Sequence, residues 1–197
     1  MNEDIEKLIT ERKLGQQINP EEKINVIKKL TKKYNVPADD YLTLENKICE
    51  SGNAKDIFLF AYYAGEEANM QRLAVNILFT KNVKYIYAFA AVINLLSFVP
   101  LFEEEIIKRQ NTKYIYKFAR DVKGADIIKL GNKIIEKGNS NYILLFASDV
   151  IGESFLSKLN NALEKNHNKQ LKKDVEIKEI YVPLGNLLDE DENIKQL

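Results

Sequence analysis

Four times the chain writes the skeleton Asn-x-x-x-Ile-x-x-Phe-Ala: at Asn53/Ile57/Phe60/Ala61, Asn82/Ile86/Phe89/Ala90, Asn111/Ile115/Phe118/Ala119 and Asn139/Ile143/Phe146/Ala147. The asparagines, at 53, 82, 111 and 139, are offset by 29, 29 and 28 residues. A fixed period in this range belongs to repeat architectures, in which each unit is too small to bury its own apolar side and must stack on its neighbours. No other feature of the sequence restricts the fold as much.

Each copy predicts two helices. Asparagine is a strong N-cap, since its side-chain oxygen can accept an orphan backbone N–H. Behind it Ile115, Phe118, Ala119 and Val122 fall at i, i+3, i+4 and i+7, one apolar helical stripe. The preceding helix carries an apolar i, i+4 pair, Leu44/Ile48, Leu73/Ile77, Phe102/Ile106 and Leu130/Ile134, in the same register. Gly52 and Gly138 stand directly before two of the asparagines, where a left-handed residue ends a helix. The expected architecture is all-α, an α-solenoid of stacked two-helix repeats. It covers residues 44–168 and closes on a half repeat at Leu159 and Leu163. The pattern does not set the hand of the pile.

The flanks read differently. Residues 1–43 predict an N-terminal helical cap: a short amphipathic helix on Ile5, Leu8 and Ile9, then a helix opened by Asn19-Pro20-Glu21-Glu22. The second runs through Ile24, Ile27 and Leu30, stops before Pro37, and carries Lys28, Lys29, Lys32 and Lys33 on its polar face. Asn166-His167-Asn168 reads as a turn, and residues 169–197 as an extended tail. Within the tail, 175–182 is β-branched, Pro183 and Gly185 interrupt it, and Asp189 to Glu192 form an acidic cluster.

Composition excludes some classes. A chain of 197 residues with 45% hydrophobic and 29% charged residues suits a folded domain with a real core. Lys+Arg and Asp+Glu are equal at 29, so no net field draws the molecule to nucleic acid or anionic membrane. One cysteine excludes an internal disulfide and a multi-cysteine zinc site and fits a reducing cytoplasm. The acidic opening is the wrong sign for a signal peptide, and no apolar run reaches the roughly 18 residues of a membrane-spanning helix.

Candidate chemistry is sparse. Cys49 corresponds to Leu78, Ile107 and Ile135 in the other copies and is expected to act as a small core hydrophobe. His167 has no second ligand type beside it. Asp174, Glu176 and Lys178 repeat the acid-x-Lys spacing of some nucleases without the sheet that motif needs, so a charged edge segment is expected. Phosphate loops, paired helical histidines and nucleophile elbows are absent from the sequence. The expectation is a protein without catalytic residues, cofactor or metal.

Surface rows are the more informative signal. Phe58, Tyr87, Tyr116 and Leu144 follow each skeleton isoleucine, Asp56, Tyr85, Tyr114 and Tyr142 precede it, and Lys55, Lys84, Lys113 and Asn141 come two before. Stacked helices lie about 8–10 Å apart, so each set forms a row along the pile. The rows either seal the edges between repeats or offer an aromatic and basic strip, extended by Arg120 one turn beyond Tyr116. The second copy also replaces a polar turn with Leu95, Leu96, Phe98, Val99 and Leu101, while Ser97 and Pro100 mark a helix start. That segment either folds onto its neighbours or is an exposed contact patch. The expected partner-binding residues are Lys84, Tyr85, Tyr87, Lys113, Tyr114, Tyr116, Arg120, Leu95, Leu96 and Phe98.

From Lys113 to Ala125 the chain reads Lys-Tyr-Ile-Tyr-Lys-Phe-Ala-Arg-Asp-Val-Lys-Gly-Ala. This resembles the repeats of bacterial and phage proteins built of tandem helical hairpins and, more coarsely, HEAT-type solenoids. The likeness covers about residues 44–165, and the first copy departs from it at Asp56 and Phe58. The resemblance implies a binding scaffold, an adaptor or inhibitor with a protein partner. Some similar solenoids grip DNA as glycosylases, but no residue here carries that activity over. The alternative is a nucleic-acid binder that uses the lysine and tyrosine rows for phosphate contacts and base stacking.

Overall fold

Each of the four asparagines begins a helix, because the residue before it turns the chain out of the preceding one. A computed structural model describes residues 5–150, and among these the regular structure is helical, with no strand. The helices are α1 (Ile5–Lys13), α2 (Pro20–Tyr34), α3 (Tyr41–Ser51), α4 (Ala54–Ala64), α5 (Met70–Phe79), α6 (Val83–Ile93), α7 (Val99–Lys108), α8 (Thr112–Asp121), α9 (Ile127–Lys137) and α10 (Ser140–Val150). The expected closing helix at Leu159 and Leu163, His167, the 174–178 segment and the tail lie outside the described residues.

The turns obey the expected chemistry with two substitutions. Gly52 and Gly138 adopt φ of 61° and 66°, while Lys81 and Gln110, at the same place in the second and third copies, take φ of 58° and 57° without glycine's freedom. The Asn53 side chain accepts the N–H groups of Lys55 and Asp56 at 3.1 and 3.2 Å. Asn82 and Asn111 make no side-chain cap, contrary to expectation. Their backbone carbonyls accept from Ile86 and Ile115 at 2.9 and 3.0 Å and start the helices without side-chain help. Asn19 caps α2 as predicted, accepting from the Glu21 N–H at 2.9 Å. Ile27 and Leu30 are buried as expected, but Ile24 is exposed, and Val26 and Thr31 complete the buried face.

The described residues divide into two compact units between Leu130 and Gly131. In the first, α4 packs between α2 and α6, and α6 between α4 and α8. Behind this row α3 packs on α2 and α4, α5 on α4 and α6, and α7 on α6 and α8. The stripe residues Phe60, Phe89 and Phe118 are fully buried, as are Leu44, Ile48, Leu73, Ile77, Phe102 and Ile106. In the second unit Ile134, Ile143 and Phe146 are buried in the predicted register. Cys49 is only half-buried rather than in the core, and burial raises its thiol pKa.

Two buried glutamates join neighbouring hairpins. Glu45, next to Leu44, accepts the backbone N–H of Asn69 at 2.8 Å and faces Arg72 at 3.5 Å. Asn69 in turn caps α5. Glu103, next to Phe102, accepts the N–H of Asp126 at 2.8 Å and pairs with Lys129 at 2.9 Å, and Asp126 caps α9 by accepting the Lys129 N–H at 3.0 Å. The junction between them has Ala74 in place of the glutamate and Phe98 in place of the capping residue, and Phe98 makes no side-chain cap.

Phe118→Ala is expected to cost about 3–5 kcal/mol, the range for truncating a buried aromatic ring, read from urea denaturation. Gln110→Gly relieves a left-handed residue and should stabilise by about 0.5–1 kcal/mol, net of glycine's entropy. A fall in stability on that change would mean that Gln110 is held by contacts worth more than its backbone strain.

Candidate functional site

The residues flanking the skeleton isoleucines of the second and third copies do two different jobs, while Asp56 in the first is buried and Leu144 in the fourth exposed. Tyr85 and Tyr114, before the isoleucine, are half-buried, whereas Tyr87 and Tyr116, after it, are buried, as is Phe58 in the first copy. The rings meet across neighbouring helices: Phe58 lies 6.1 Å from Tyr85, and Tyr87 lies 5.8 Å from Tyr114, centroid to centroid. Such tilted pairs contribute beyond their area, so these tyrosines join α4 to α6 and α6 to α8. Lys84 and Lys113 are exposed two residues ahead of each isoleucine, and the Lys84 ammonium stands 5.6 Å from the Tyr85 ring.

Tyr87 and Tyr116 are therefore not free anchors. The N-terminal helix α1 packs on α6 and buries Ile5, Leu8 and Ile9. Its charges are fixed at both ends: Glu6 pairs with Lys117 of α8 at 2.6 Å, and Lys13 pairs with Asp121 at the end of α8. Tyr87 donates its hydroxyl to the same Asp121, while the Arg120 guanidinium grips both carboxylate oxygens at 2.7 and 2.8 Å. Arg120 also stacks over the Tyr116 ring at 5.3 Å and donates to its hydroxyl at 3.3 Å. Sequence reasoning put Arg120 on a binding strip; the structure gives it an internal carboxylate partner. The missed residue is Asp121, whose one signal was its position three after Phe118, on the apolar side of the helix.

Asp121 has no exposed side-chain surface. Burial by itself would raise its pKa, but hydrogen bonds from Arg120, Lys13 and Tyr87 outweigh that and hold the carboxyl below its ordinary value. Tyr87 is pushed up, first by burial and then by its bond to Asp121.

The divergent segment splits between the two expected alternatives. A 3-10 turn at Leu96–Phe98 precedes α7, with Pro100 in the first helical turn; Phe98, not Ser97, occupies the capping position. Phe98 is half-buried with its ring 6.1 Å from Phe102, and Leu95 is also half-buried, so both fold inward. Leu96 and Leu101 are about half exposed, at 51% and 49%. At the C-terminal ends of α4 and α6 a cavity of about 300 Å³ opens, lined also by Arg12 of α1, Ile18, Glu66 and Met70. Among the described residues no group of His, Cys, Asp or Glu side chains is placed to hold a metal ion, and no helix is long and apolar enough to cross a membrane.

Asp121→Asn should loosen α1 and cost roughly 2 kcal/mol, after allowance for the partly exposed Lys13 and Arg120. Because the folded carboxyl sits below the unfolded value near about 3.9, its contribution is complete above that pH and is lost as pH falls through the folded pKa. Thermal melts from pH 7 to pH 3 should fall more steeply for the native chain than for Asp121→Asn. Parallel curves would remove Asp121 from the acid response.

No protein-family model, curated protein or solved structure matches the chain.

Proposed function

We propose that the chain is a non-enzymatic helical-repeat scaffold, a short α-solenoid of stacked two-helix hairpins, that binds a protein partner as an adaptor or inhibitor. One observation carries this reading: α4, α6 and α8 are successive neighbours at the spacing of the sequence repeat, and the equivalent lysine and tyrosine positions of α6 and α8 recur with the same exposure. These two helices offer Lys84 beside Tyr85 and Lys113 beside Tyr114, with Leu96 exposed after α6. Charged rims around aromatic and aliphatic contacts are the usual make-up of protein interfaces. The kinship with bacterial and phage hairpin-repeat proteins and a cytoplasmic location belong to the same reading.

The nucleic-acid alternative uses the lysine and tyrosine rows, of which Lys84 and Lys113 are exposed and Tyr85 and Tyr114 half-buried. Two cations in a chain with 29 acids and 29 bases make a weak phosphate grip. Salt separates the two. A phosphate-binding row loses affinity with a log–log slope of about −0.7 to −0.9 per contact, and changing both lysines to Gln would flatten that slope. A protein interface should instead lose mainly association rate on that change.

Capture from the source cell with and without nuclease, followed by Leu96→Ser, gives the test. Leu96→Ser is expected to leave the melting temperature within about 2 °C, as a surface change does, and to weaken partner capture at least fivefold. Phe98→Ser should destabilise instead, because its ring packs on Phe102. Capture that disappears with nuclease would transfer the reading to nucleic acid.

A further inference from the structure

The N-terminal helix is an unusual occupant for the place it holds. A nine-residue helix is too short to persist alone in water, so α1 is helical only while docked. It docks with three apolar side chains, a burial of the same order as the conformational entropy of ordering nine residues. Its link to α2 passes through the exposed Leu14 to Gln17, with Gly15 at φ 69°. That is enough free chain to release the helix without disturbing α2.

The face beneath α1 is more demanding than α1 itself. It supplies a cation, Lys117, for an acid in the first turn, and a carboxylate, Asp121, for a base seven residues later. Between them it accepts apolar side chains at i, i+3 and i+4, the positions of Ile5, Leu8 and Ile9. Yet α1 leaves part of it unfilled. The cavity of about 300 Å³ is walled mainly by apolar groups, among them Ala61, Tyr62, Met70, Val92 and Ile93, with Glu66 the one acid on its lining, and the side chain α1 brings to it is the charged Arg12. Arg12 stays exposed and does not fill the space, as expected of an ionised guanidinium beside a mainly apolar wall.

We infer that the face of α6 and α8 under α1 is a helix-binding groove for the protein partner, in addition to the exposed surface of Lys84, Lys113 and Leu96. Its ligand is an amphipathic helix with α1's pattern, acidic in its first turn and basic two turns later, with a bulky apolar side chain where α1 has Arg12. α1 is the groove's intramolecular occupant and must leave before the partner enters. The inference deepens the protein-scaffold reading above by naming the partner's chemistry and rests on that reading. The groove recognises a helix laid along it, as helix-in-groove domains do, with α1 lowering the apparent affinity by the fraction of time it is bound.

The test uses the full chain carrying Leu8→Asp and Ile9→Asp, which undocks α1. The probes are two acetylated, amidated peptides of residues 5–14, one native and one with Arg12→Phe, titrated by fluorescence anisotropy. The undocked variant is expected to bind the native peptide at least tenfold more tightly than the unmodified chain does, and the Arg12→Phe peptide about tenfold more tightly again. Equal binding of both peptides would overturn the cavity's part in recognition. No binding by a variant that still melts cooperatively would overturn the groove.

Should that variant fail to fold, hydrogen exchange on the unmodified chain decides. Amides of α1 should exchange at least a hundredfold faster than those of α6, and equal protection would show that α1 leaves only on global unfolding and sink the proposal. A protein partner captured from cells but not displaced by the Arg12→Phe peptide would overturn the groove and leave the scaffold reading standing. Capture that depends on nucleic acid would remove the scaffold reading instead.

Discussion

A helix as apolar as α6 has to be covered over most of its surface, and the rest of the first unit supplies the cover. Ile86, Tyr87, Ala88, Phe89, Ala90 and Val92 are all buried. Four sequence neighbours, α4, α5, α7 and α8, account for most of that by pairing hairpin to hairpin. The remaining side goes to α1, which reaches it from the other end of the unit. Hydrophobic burial therefore organises the row, and α1 covers the apolar surface of α6 that the hairpins leave open.

Polar pairs determine where the N-terminal helices stop. Asp56 stands where later copies have tyrosine; its carboxylate pairs with Lys33 and accepts the Tyr34 hydroxyl at 2.5 Å. Asp121 does the same for Lys13 and Tyr87. Each N-terminal helix thus ends on one lysine held by one buried aspartate. An unpaired carboxylate at either place would be a severe loss, which makes the pairing a device for register more than a source of net stability. The odd residue of the first copy is explained by α2, the element it has to receive.

Helix positions and the buried stripes were legible in the sequence because both depend on residues three and four apart, and four copies repeat them. Asn53, Asn82, Asn111 and Asn139 all start helices, and Phe60, Phe89, Phe118 and Phe146 are all buried. The candidate site was legible only as a set of rows. Whether Tyr87 faces water depends on Lys13 and Asp121, 108 residues apart in sequence, and on α1 choosing α6. Ile5, Leu8 and Ile9 would suit any apolar groove, so no local pattern identifies the one they fill. Lys84 and Lys113 could be placed outside from their spacing alone, and both are exposed among the described residues.

The alternation of junctions restricts how an array of this kind can lengthen. Glu45 and Glu103 stand two repeats apart, each presenting a buried carboxylate to a capping N–H, while the equivalent positions between them hold the apolar Ala74 and Phe98. One extra hairpin inserted at random would bring a glutamate against a phenylalanine, or an alanine against an N–H with no acceptor, and either mismatch strands a buried polar group. Two extra hairpins restore the match. The natural unit of growth is therefore a pair of hairpins, and a relative made by duplication would be expected to gain residues in steps of about 57 or 58.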